Sequence, residues 1–430
     1  MTETTQKQES PEPQFAAFIG IDWADQEHQV CLRAAGSSEK ELSKLPQEPE
    51  AILEWVGKLR ERFQSRPVAV AIEQSKGGLV YALMAHEFIT LYPINPAMLA
   101  QYRKAFVSSR AKDDPLDAGL LTDLVQNHRE HLRAWKADTP ETRRLQLLVE
   151  HRRQAVDERT RLTCMLTAAL KAYYPQAIEL TGANLFAPMA LDFLTKWPTL
   201  EALKKTRVET IRKFYYAHNI RRGDVIEERL EYSRKSPPLT EDAVIVETFA
   251  MKVNMCVGQL RALHRVIVEY ERQIARLFAQ HQDAFLFDSF PGSGEIFGPR
   301  LLAAFGSQRD RFTAPEDMQR FSGIAPVTVQ SGQTRWVHRR WACPRFLKQT
   351  FHEYANISIQ KSVWARTYYE HLREAGKGHH AAVRAVAFKW IRIMFRCWKD
   401  RVPYDEITYL KALQKSGSYL LKYLPQPANS

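Results

Sequence analysis

The sequence has little cysteine, and its cysteines form no pair of the kind that holds zinc. The five cysteines are Cys31, Cys164, Cys256, Cys343 and Cys397, and no C-x-x-C spacing occurs among them. This scatter argues against a zinc site and against a disulfide framework. It favours a protein that works in a reducing compartment.

Long apolar runs are also missing. No uncharged apolar segment approaches the roughly eighteen residues that are needed to span a bilayer, and residues 1–14 lack the apolar core of a secretory signal. We therefore expect a soluble cytoplasmic protein without membrane contact. We also expect a disordered leader at residues 1–14 and a disordered tail at residues 425–430.

Acidic residues are scarce in the C-terminal part of the chain. Residues 1–100 carry nine Lys and Arg against fourteen Asp and Glu, whereas residues 331–400 carry fourteen against four, within a net charge of +12. Such a field favours a nucleic-acid backbone as partner, with a generally basic, solvated face as the alternative. The candidate contacts are Arg335, Arg339, Arg340, Arg345, Lys389, Arg392 and Arg396.

The first 130 residues alternate between short apolar runs and amphipathic segments. The apolar pattern predicts strands at 15–21, 28–33, 68–72 and 89–94, and helices at 48–63, 79–87 and 96–106. This order predicts an α/β fold with a mixed sheet covered by helices. Aspartate follows the first of these strands and glutamate the third.

Four carboxylates stand out in this region. Asp22 and Glu73 come directly after strands, where open α/β sheets place their sites. Asp114 and Asp117 fall on one face of a predicted helix that runs to about residue 127. Together the four side chains have the ligand chemistry for two Mg²⁺ ions roughly 4 Å apart. In the alternative, Asp114 and Asp117 cap the helix that starts with Pro115, and the strand-end acids are ordinary surface residues.

The middle of the chain is predicted to be helical. One long segment runs from residue 139 to 173, and a second has apolar residues at 3,4 spacing from Val246 to Leu277, which is typical of a coiled coil. The pattern leaves open whether these helices pair within one chain or between protomers. Between them, an insert at about 175–238 carries basic clusters beside Phe214, Tyr215 and Tyr216, which suggests RNA binding by charge and stacking, with an ordinary helical core as the alternative.

A nucleophile is suggested by residues 321–345. Ser331 lies on a Ser-Gly step directly ahead of Arg335 and Arg339. A serine hydroxyl is a poor nucleophile at its own pKa and needs a metal, a base or concentrated positive charge, which points to phosphoryl transfer on nucleic acid. Ser322 is a competing candidate, and Ser331 as a simple turn residue is the alternative. Upstream, the glycine-containing turn at 290–294 suggests a phosphate contact, or a turn without function.

These motifs together resemble a known family. The carboxylate order is similar to the DEDD signature of an RNase H-like, RuvC-like domain, which opens a family of bacterial insertion-sequence transposases that use a serine and are guided by a bridge RNA. In residue order the segments that match are Gly20-Ile21-Asp22, Ala71-Ile72-Glu73, Lys112 to Ala118, Arg311 to Pro326, Gln330 to Gly332, Arg366 to Ala387 and Pro403 to Asp405. Asp113 leaves an ambiguity of register, and the spacing favours Asp114.

The resemblance implies a domain order and an activity. It implies a RuvC-like domain at 15–135, coiled-coil helices at 139–283 around the insert, and a mostly helical transposase domain at 284–424. Ser331 would be the nucleophile and Asp22, Glu73, Asp114 and Asp117 the Mg²⁺ ligands of a DNA recombinase with donor and target DNA, a guide RNA and a homo-oligomeric state, dimer or tetramer. The alternatives are a metal-dependent nuclease that acts by water attack, and a non-catalytic nucleic-acid scaffold.

Overall fold

The computed structural model describes residues 14–73, 76–106 and 114–423, and the side chain of Asp114 is not among what it describes. The chain divides into two compact units, Met1–Asp138 and Thr139–Ser430. The predicted leader, apart from residue 14, and the predicted tail at 425–430 lie outside the described residues.

The first unit is built on a mixed five-stranded sheet. Its strands are β1 (Ala17–Asp22), β2 (Glu27–Ala34), β3 (Glu41–Pro46), β4 (Val68–Ile72) and β5 (Ile89–Pro93), in the order β3-β2-β1-β4-β5. Strand β2 runs antiparallel to both β1 and β3, whereas β4 is parallel to β1 and β5 is parallel to β4. The predicted α/β fold with a mixed sheet is confirmed for this part of the chain.

Helices cover both faces of this sheet. They are α1 (Pro49–Phe63), α2 (Gly78–Leu83), α3 (Pro96–Phe106) and α4 (Asp114–Asn127), and a short 3-10 turn follows at Arg129–His131. Because side chains alternate along a strand, Ile19 and Ile21 pack in the core with α1 and α2. Ala69 and Ala71 face the other way and pack with α3 and α4.

Strand β3 was not predicted from the sequence. It lies at the edge of the sheet, and four of its residues, Glu41 to Lys44, are exposed. An edge strand with charged side chains resists pairing with other chains. Because of these charged side chains, the sequence of β3 lacks the apolar alternation from which a strand is predicted.

The second unit begins with a pair of long antiparallel helices. Helix α5 (Pro140–Tyr173) is followed by α6 (Gln176–Thr181), α7 (Pro188–Lys196), α8 (Leu200–Lys204), α9 (Val208–Ala217), α10 (Gly223–Lys235) and then α11 (Ala243–Gln280). Arg152 near the start of α5 pairs with Glu271 near the end of α11, whereas Leu162 further along α5 shares a core with Val257. The seam predicted on α11 therefore pairs within the chain.

Helix α11 is the one helix in the described part of the chain that is long and apolar enough to cross a membrane. Only 22% of its most apolar window is buried. The core helix of a soluble protein passes the same test of length and composition. Glu247 and Lys252 interrupt the apolar residues of this helix, so the expectation that no uncharged apolar run approaches the length of a bilayer span is not contradicted.

The insert between the two long helices is a small helical core. Phe214 and Tyr215 are buried among its apolar residues, whereas Tyr216 is exposed. The suggestion that Phe214 and Tyr215 stack on RNA bases is therefore wrong, since both rings are occupied by protein neighbours such as Phe193.

The C-terminal part is mostly helical, as predicted. Its elements are α12 (Ala284–Asp288), α13 (Gly294–Phe305), α14 (Pro315–Phe321), β6 (Val327–Ser331), β7 (Thr334–His338), α15 (Arg345–Ser358), α16 (Val363–Glu374), α17 (His379–Asp400), α18 (Glu406–Lys415) and a 3-10 turn at Tyr419–Tyr423. Trp364, Trp390 and Trp398 are buried at the centre of its core. Strands β6 and β7 form a separate hairpin that was not predicted.

The glycine turn before α13 serves packing. Gly292 has a φ of +81°, and a Cβ atom there would lie 2.9 Å from the Cγ2 atom of Ile357. The hydroxyl of Tyr354 donates a hydrogen bond to the carbonyl of Pro291, 3.3 Å away. The phosphate contact suggested for this turn competes with these contacts to α15.

Candidate functional site

Two of the predicted carboxylates lie side by side at one edge of the sheet. Strands β1 and β4 are parallel, with Ile21 opposite Ile72, so Asp22 at the end of β1 lies beside Glu73, the first residue after β4. Neighbouring strands lie about 4.8 Å apart. Asp22 shares its face of the sheet with Gly20, which is the face that α4 covers, and Glu73 comes directly after the last residue of β4.

Helix α4 lies unusually close to β1. A Cβ atom on Gly20 would lie 2.1 Å from the carbonyl oxygen of Ala118 and 2.6 Å from the amide nitrogen of Thr122. The hydroxyl of Thr122 donates a hydrogen bond to the carbonyl of Cys31 on β2, 2.9 Å away. Only glycine at position 20 permits this approach, because any side chain there would collide with helix backbone.

The direction of α4 brings its first turn toward Asp22. The guanidinium of Arg129, just after the helix, lies over the ring of Phe15, two residues before β1, at 5.1 Å from the ring centroid. The middle of the helix lies over Gly20. The helix therefore runs antiparallel to β1, and its N-terminal residues Asp114 and Asp117 lie at the carboxyl end of that strand.

Asp117 is held by an arginine that was not singled out from the sequence. Arg103 on α3 donates from Nε to Oδ1 of Asp117 at 2.6 Å, and a second bond joins Nη2 to Oδ2. The carboxylate is only 3% exposed. Each carboxylate oxygen has two lone pairs, so this fork leaves acceptor sites on both. Arg103 thus orients Asp117, as the hydrogen-bonded neighbours of metal-binding carboxylates do.

These positions fit the oxygen chemistry of a magnesium site without forming a complete one. Among the side chains that the structure describes, which do not include Asp114, no three from His, Cys, Asp or Glu lie close enough to share a metal ion. Asp22 and Glu73 nevertheless lie at one end of the sheet, with the first turn of α4 and Asp117 at the same end, and carboxylate oxygens are the ligands that Mg²⁺ prefers. The fourth predicted ligand, Asp114, has its backbone at the start of α4.

The loop after β1 is fixed by a buried histidine. His28 accepts a hydrogen bond at Nδ1 from the amide of Ala24, and its Nε2 lies 2.5 Å from Oε1 of Gln47. Burial lowers the pKa of His28. The neutral ring donates from Nε2 to Gln47, and the indole of Trp23 stacks beside it. This arrangement supports the backbone that carries Asp22.

The predicted nucleophile lies at the tip of the β6–β7 hairpin. Ser331 pairs across the hairpin with Thr334, and the two-residue turn between them starts with Gly332, which has a φ of +55°. Glycine at the first turn position is typical of two-residue hairpins. Two runs rich in β-branched residues around Gly332 were the sequence signal that could have identified this hairpin. Ser331 is exposed.

The register of the hairpin divides the neighbours of Ser331 between two faces. Residues directly opposite each other share a face, so Ser331 lies with Thr334, and by alternation with Val329 and Trp336. Arg335 pairs with Gln330 on the other face. The arginine closest to Ser331 in sequence is therefore not on the face of its hydroxyl.

The other arginines of this stretch lie beyond the hairpin. Arg339 lies over the ring of Trp341 at 3.5 Å from its centroid, and both side chains are exposed. Arg340 is half-buried, and its carbonyl accepts a hydrogen bond from Lys348. Arg345 is the exposed first residue of α15. The surface around the hairpin is thus basic and aromatic together.

Helix α17 carries the remaining predicted contacts. Arg392 and Arg396 are exposed, although Arg392 lies 3.8 Å from Glu316 and Arg396 pairs with Asp400. Lys389 is half-buried with its Nζ 4.3 Å from the centroid of the Tyr368 ring, and burial lowers its pKa. Lys389 therefore packs against α16 with part of its side chain still accessible, and its contact with nucleic acid stays a prediction.

The competing serine is inaccessible. Ser322 is fully buried at the end of α14, and its hydroxyl donates to the carbonyl of Gln319, 3.3 Å away. A buried hydroxyl cannot meet a DNA backbone without unfolding this turn. Of the two candidates, only Ser331 is presented to solvent.

Comparisons with known proteins agree with this picture. Residues 19–175 match a family model described as "Transposase" (DEDD_Tnp_IS110), and residues 284–370 match a second one, "Transposase IS116/IS110/IS902 family". The chain is 29% identical over 407 residues to the "Mini-circle putative transposase for IS117" of Streptomyces coelicolor, covering 92% of this chain and 97% of that protein. It is 24% identical to the "Insertion element IS900 uncharacterized 42 kDa protein" of Mycobacterium paratuberculosis, over 91% and 98% of the two chains.

Proposed function

We propose that this chain, which matches the two transposase family models over residues 19–175 and 284–370, acts as a transposase of the IS110/IS116 family. In this proposal it cuts and rejoins DNA through a covalent bond between Ser331 and a DNA phosphate. The observation that carries the proposal is the place of Ser331, an exposed hydroxyl at the tip of a hairpin. Residues 318–352 around it contain no acidic residue. Besides Arg320, this stretch has five arginine and lysine residues. A basic surface of this kind attracts a phosphate backbone.

In the proposed step the Ser331 Oγ bonds to the phosphorus while the bond from phosphorus to a deoxyribose oxygen breaks. The leaving oxygen takes up a proton, and the serine loses one. The phosphoserine ester keeps the energy of the phosphodiester, so a deoxyribose hydroxyl from a second strand can displace Ser331 and rejoin the DNA. This sequence exchanges strands without an external source of energy.

We further propose that the N-terminal unit is an RNase H-like domain that binds Mg²⁺. Asp22, Glu73 and Asp117 would hold the ion, with Asp114 as the fourth ligand and Arg103 orienting Asp117. A bound Mg²⁺ polarises phosphate oxygens and stabilises the charge of the transition state. The support is the placement of three carboxylates at the carboxyl end of β1 and β4.

The same carboxylates favour a second candidate, a metal-dependent nuclease that acts by water attack. In that case Ser331 would have no chemical role. The two functions differ in their products, since a nuclease releases free DNA ends and the recombinase holds one end on the protein.

Donor and target DNA and a structured guide RNA are the proposed partners, in the cytoplasm. The sequence has no C-x-x-C pair for a zinc finger, and a guide RNA would read sequence by base pairing, as in other RNA-guided enzymes. The support for RNA is the resemblance of the chain to its family together with its basic surface.

The test is to identify the atom that holds the DNA. Purified protein with its associated nucleic acid, labelled DNA and Mg²⁺ is denatured and digested, and the peptide that carries the label is sequenced by mass spectrometry. We expect the DNA on residue 331, and no such peptide after ribonuclease treatment of the protein. DNA on another residue, or cleaved DNA without any protein adduct, would contradict the serine nucleophile. An adduct that still forms after ribonuclease treatment would contradict the proposed guide RNA.

A homo-oligomer is proposed as the working form, and α11 offers a surface for a second copy. One side of this helix is turned away from α5 and carries exposed apolar residues: Val244, Met251, Met255, Ala262 and Val266. Such a stripe on a helix already packed on its other side is typical of a contact with another helix.

The stripe is complementary to itself. Val244 and Val266 lie eleven residues before and after Met255, so two copies aligned antiparallel about Met255 bring apolar residues together along the whole contact. Glu247 and Arg265 lie on one flank of the stripe. In this alignment Glu247 of one copy lies at nearly the same height along the helix axis as Arg265 of the other copy. The two differ by about 3 Å, since a helix rises about 1.5 Å per residue. Charge and apolar pattern thus agree on a second copy of this chain.

Val266→Glu should lower the oligomeric state in solution. A charge placed in the contact would have to be buried without a partner, which costs several kcal/mol. Light scattering after size exclusion measures the mass, and Val268→Glu is the matched control, since Val268 is 49% exposed against 46% for Val266 and lies off the stripe. Equal masses for both variants and wild type would contradict the contact, and weaker RNA binding at unchanged mass would assign the stripe to RNA.

A further inference from the structure

We infer that Trp336 is a stacking platform for one unpaired base of the DNA strand that Ser331 attacks. The inference rests on the proposed function of Ser331 and adds a binding site for a nucleobase beside it. It starts from the face of the hairpin that carries both residues.

Trp336 shares its face with Ser331. It pairs with Val329, the residue two positions before Ser331 on β6, and follows Thr334 by two positions on β7. Its indole is 64% exposed, whereas Trp364 and Trp390 of the same unit are buried. A large aromatic surface that is left in water at this position is typical of a binding site rather than of a core.

The ring of His338 supports the indole from one side. The two ring centroids are 4.8 Å apart with 39° between the planes, and His338 lies further from the tip of the hairpin than Trp336 does. On the other side come the small side chains of Thr334 and Ser331. Two residues along a strand are roughly 7 Å apart, which leaves room for one flat base between the indole and the tip.

The hairpin has no core of its own. In β6 (Val327–Ser331) and β7 (Thr334–His338) no residue is buried, and each strand has only one residue of intermediate exposure. A two-stranded hairpin alone is marginally stable in water. A ligand that covers one of its faces would therefore order the hairpin and, with it, the Ser331 hydroxyl.

The charge of the surroundings selects a nucleic acid as that ligand. The absence of acidic residues from 318 to 352, together with the arginines there, disfavours a basic protein partner. Arg339 and Trp341 form an exposed pair of cation and ring close by in the chain. Aromatic rings among cations are the usual means of binding single-stranded DNA, because every base offers a flat face and every nucleotide a phosphate. A base drawn out of its stack would leave the neighbouring phosphodiester open to Ser331.

The test combines a protein change with a DNA change. Adduct formation is measured for wild type, Trp336→Ala, Trp336→Phe and Val337→Ala, on DNA with a normal or an abasic nucleotide on either side of the attacked phosphate. We expect Trp336→Ala to slow adduct formation roughly 5- to 150-fold, the range that follows from removing one base–ring stack. Trp336→Phe should keep most of the rate, and Val337→Ala, which changes the other face, should resemble wild type.

The abasic nucleotide separates stacking from a structural effect. It should slow wild type by a similar factor and cause little further loss in Trp336→Ala, because the stack is already gone. Equal abasic penalties in both proteins, or equal rates for Trp336→Ala and Val337→Ala, would overturn the inference.

A binding measurement keeps the inference apart from the proposed function. Single-stranded DNA is titrated into Ser331→Ala protein with and without Trp336→Ala. If wild type forms no adduct but Trp336→Ala weakens binding, the serine chemistry fails and the base site stands. If adducts form normally and binding is unchanged, the base site fails and the serine chemistry stands.

Discussion

Ser331→Ala should abolish the covalent protein–DNA adduct, with a loss of roughly 10³-fold or more in strand exchange, the scale on which removal of a nucleophile acts. The reason is direct, since an alanine at position 331 has no oxygen atom that can bond to phosphorus. Ser331 is exposed at the tip of the hairpin, so its loss should change the free energy of unfolding by less than about 0.5 kcal/mol. A denaturing gel with labelled DNA measures the adduct, and thermal unfolding measures stability.

Two neighbouring hydroxyls provide the controls. Thr334→Val removes the hydroxyl directly across the turn on the same face, and Ser322→Ala removes the buried one. Both variants should still form the adduct. Free cleaved DNA from Ser331→Ala at the rate of wild type would contradict the nucleophile and support hydrolysis by water.

Asp22→Asn and Glu73→Gln should each lower cleavage and adduct formation by more than about 100-fold, since even the residues that orient a metal ligand are worth 10- to 100-fold. Both changes keep the shape of the side chain and remove its charge. If these carboxylates bind Mg²⁺, the metal concentration for half-maximal activity should also rise. A titration of activity against Mg²⁺ measures both quantities.

Asp25→Asn is the matched control for the carboxylates. Asp25 is an exposed acid on the loop that follows β1, three residues after Asp22, and its change should leave the Mg²⁺ titration as in wild type. Wild-type activity in Asp22→Asn would show that the carboxyl edge of the sheet is not the metal site. Equal losses in Asp22→Asn and Asp25→Asn would assign the effect to overall charge.

Apolar periodicity accounts for most of what the sequence predicted correctly about the fold. The strands before Asp22 and Glu73 are continuous apolar runs because both faces of those strands are covered, and the seam of α11 follows the helical repeat. Apolar periodicity did not predict strand β3 or the hairpin of β6 and β7. Neither of them buries a regular apolar face, so their sequences lack the apolar alternation from which a strand is predicted.

For the candidate site, the sequence by itself determined which residue types are available and which of them end strands: Asp22, Glu73, the acids of α4, and Ser331 before a glycine. Only the tertiary structure decided what surrounds them. Sheet register sets Asp22 beside Glu73, the missing side chain of Gly20 admits α4, and Arg103 reaches Asp117 from α3. The pleat of the hairpin likewise puts Trp336, not Arg335, on the face of Ser331. The physical reason is that periodicity is a local property of the chain, whereas register, close approach and ion pairing join residues that are far apart in it.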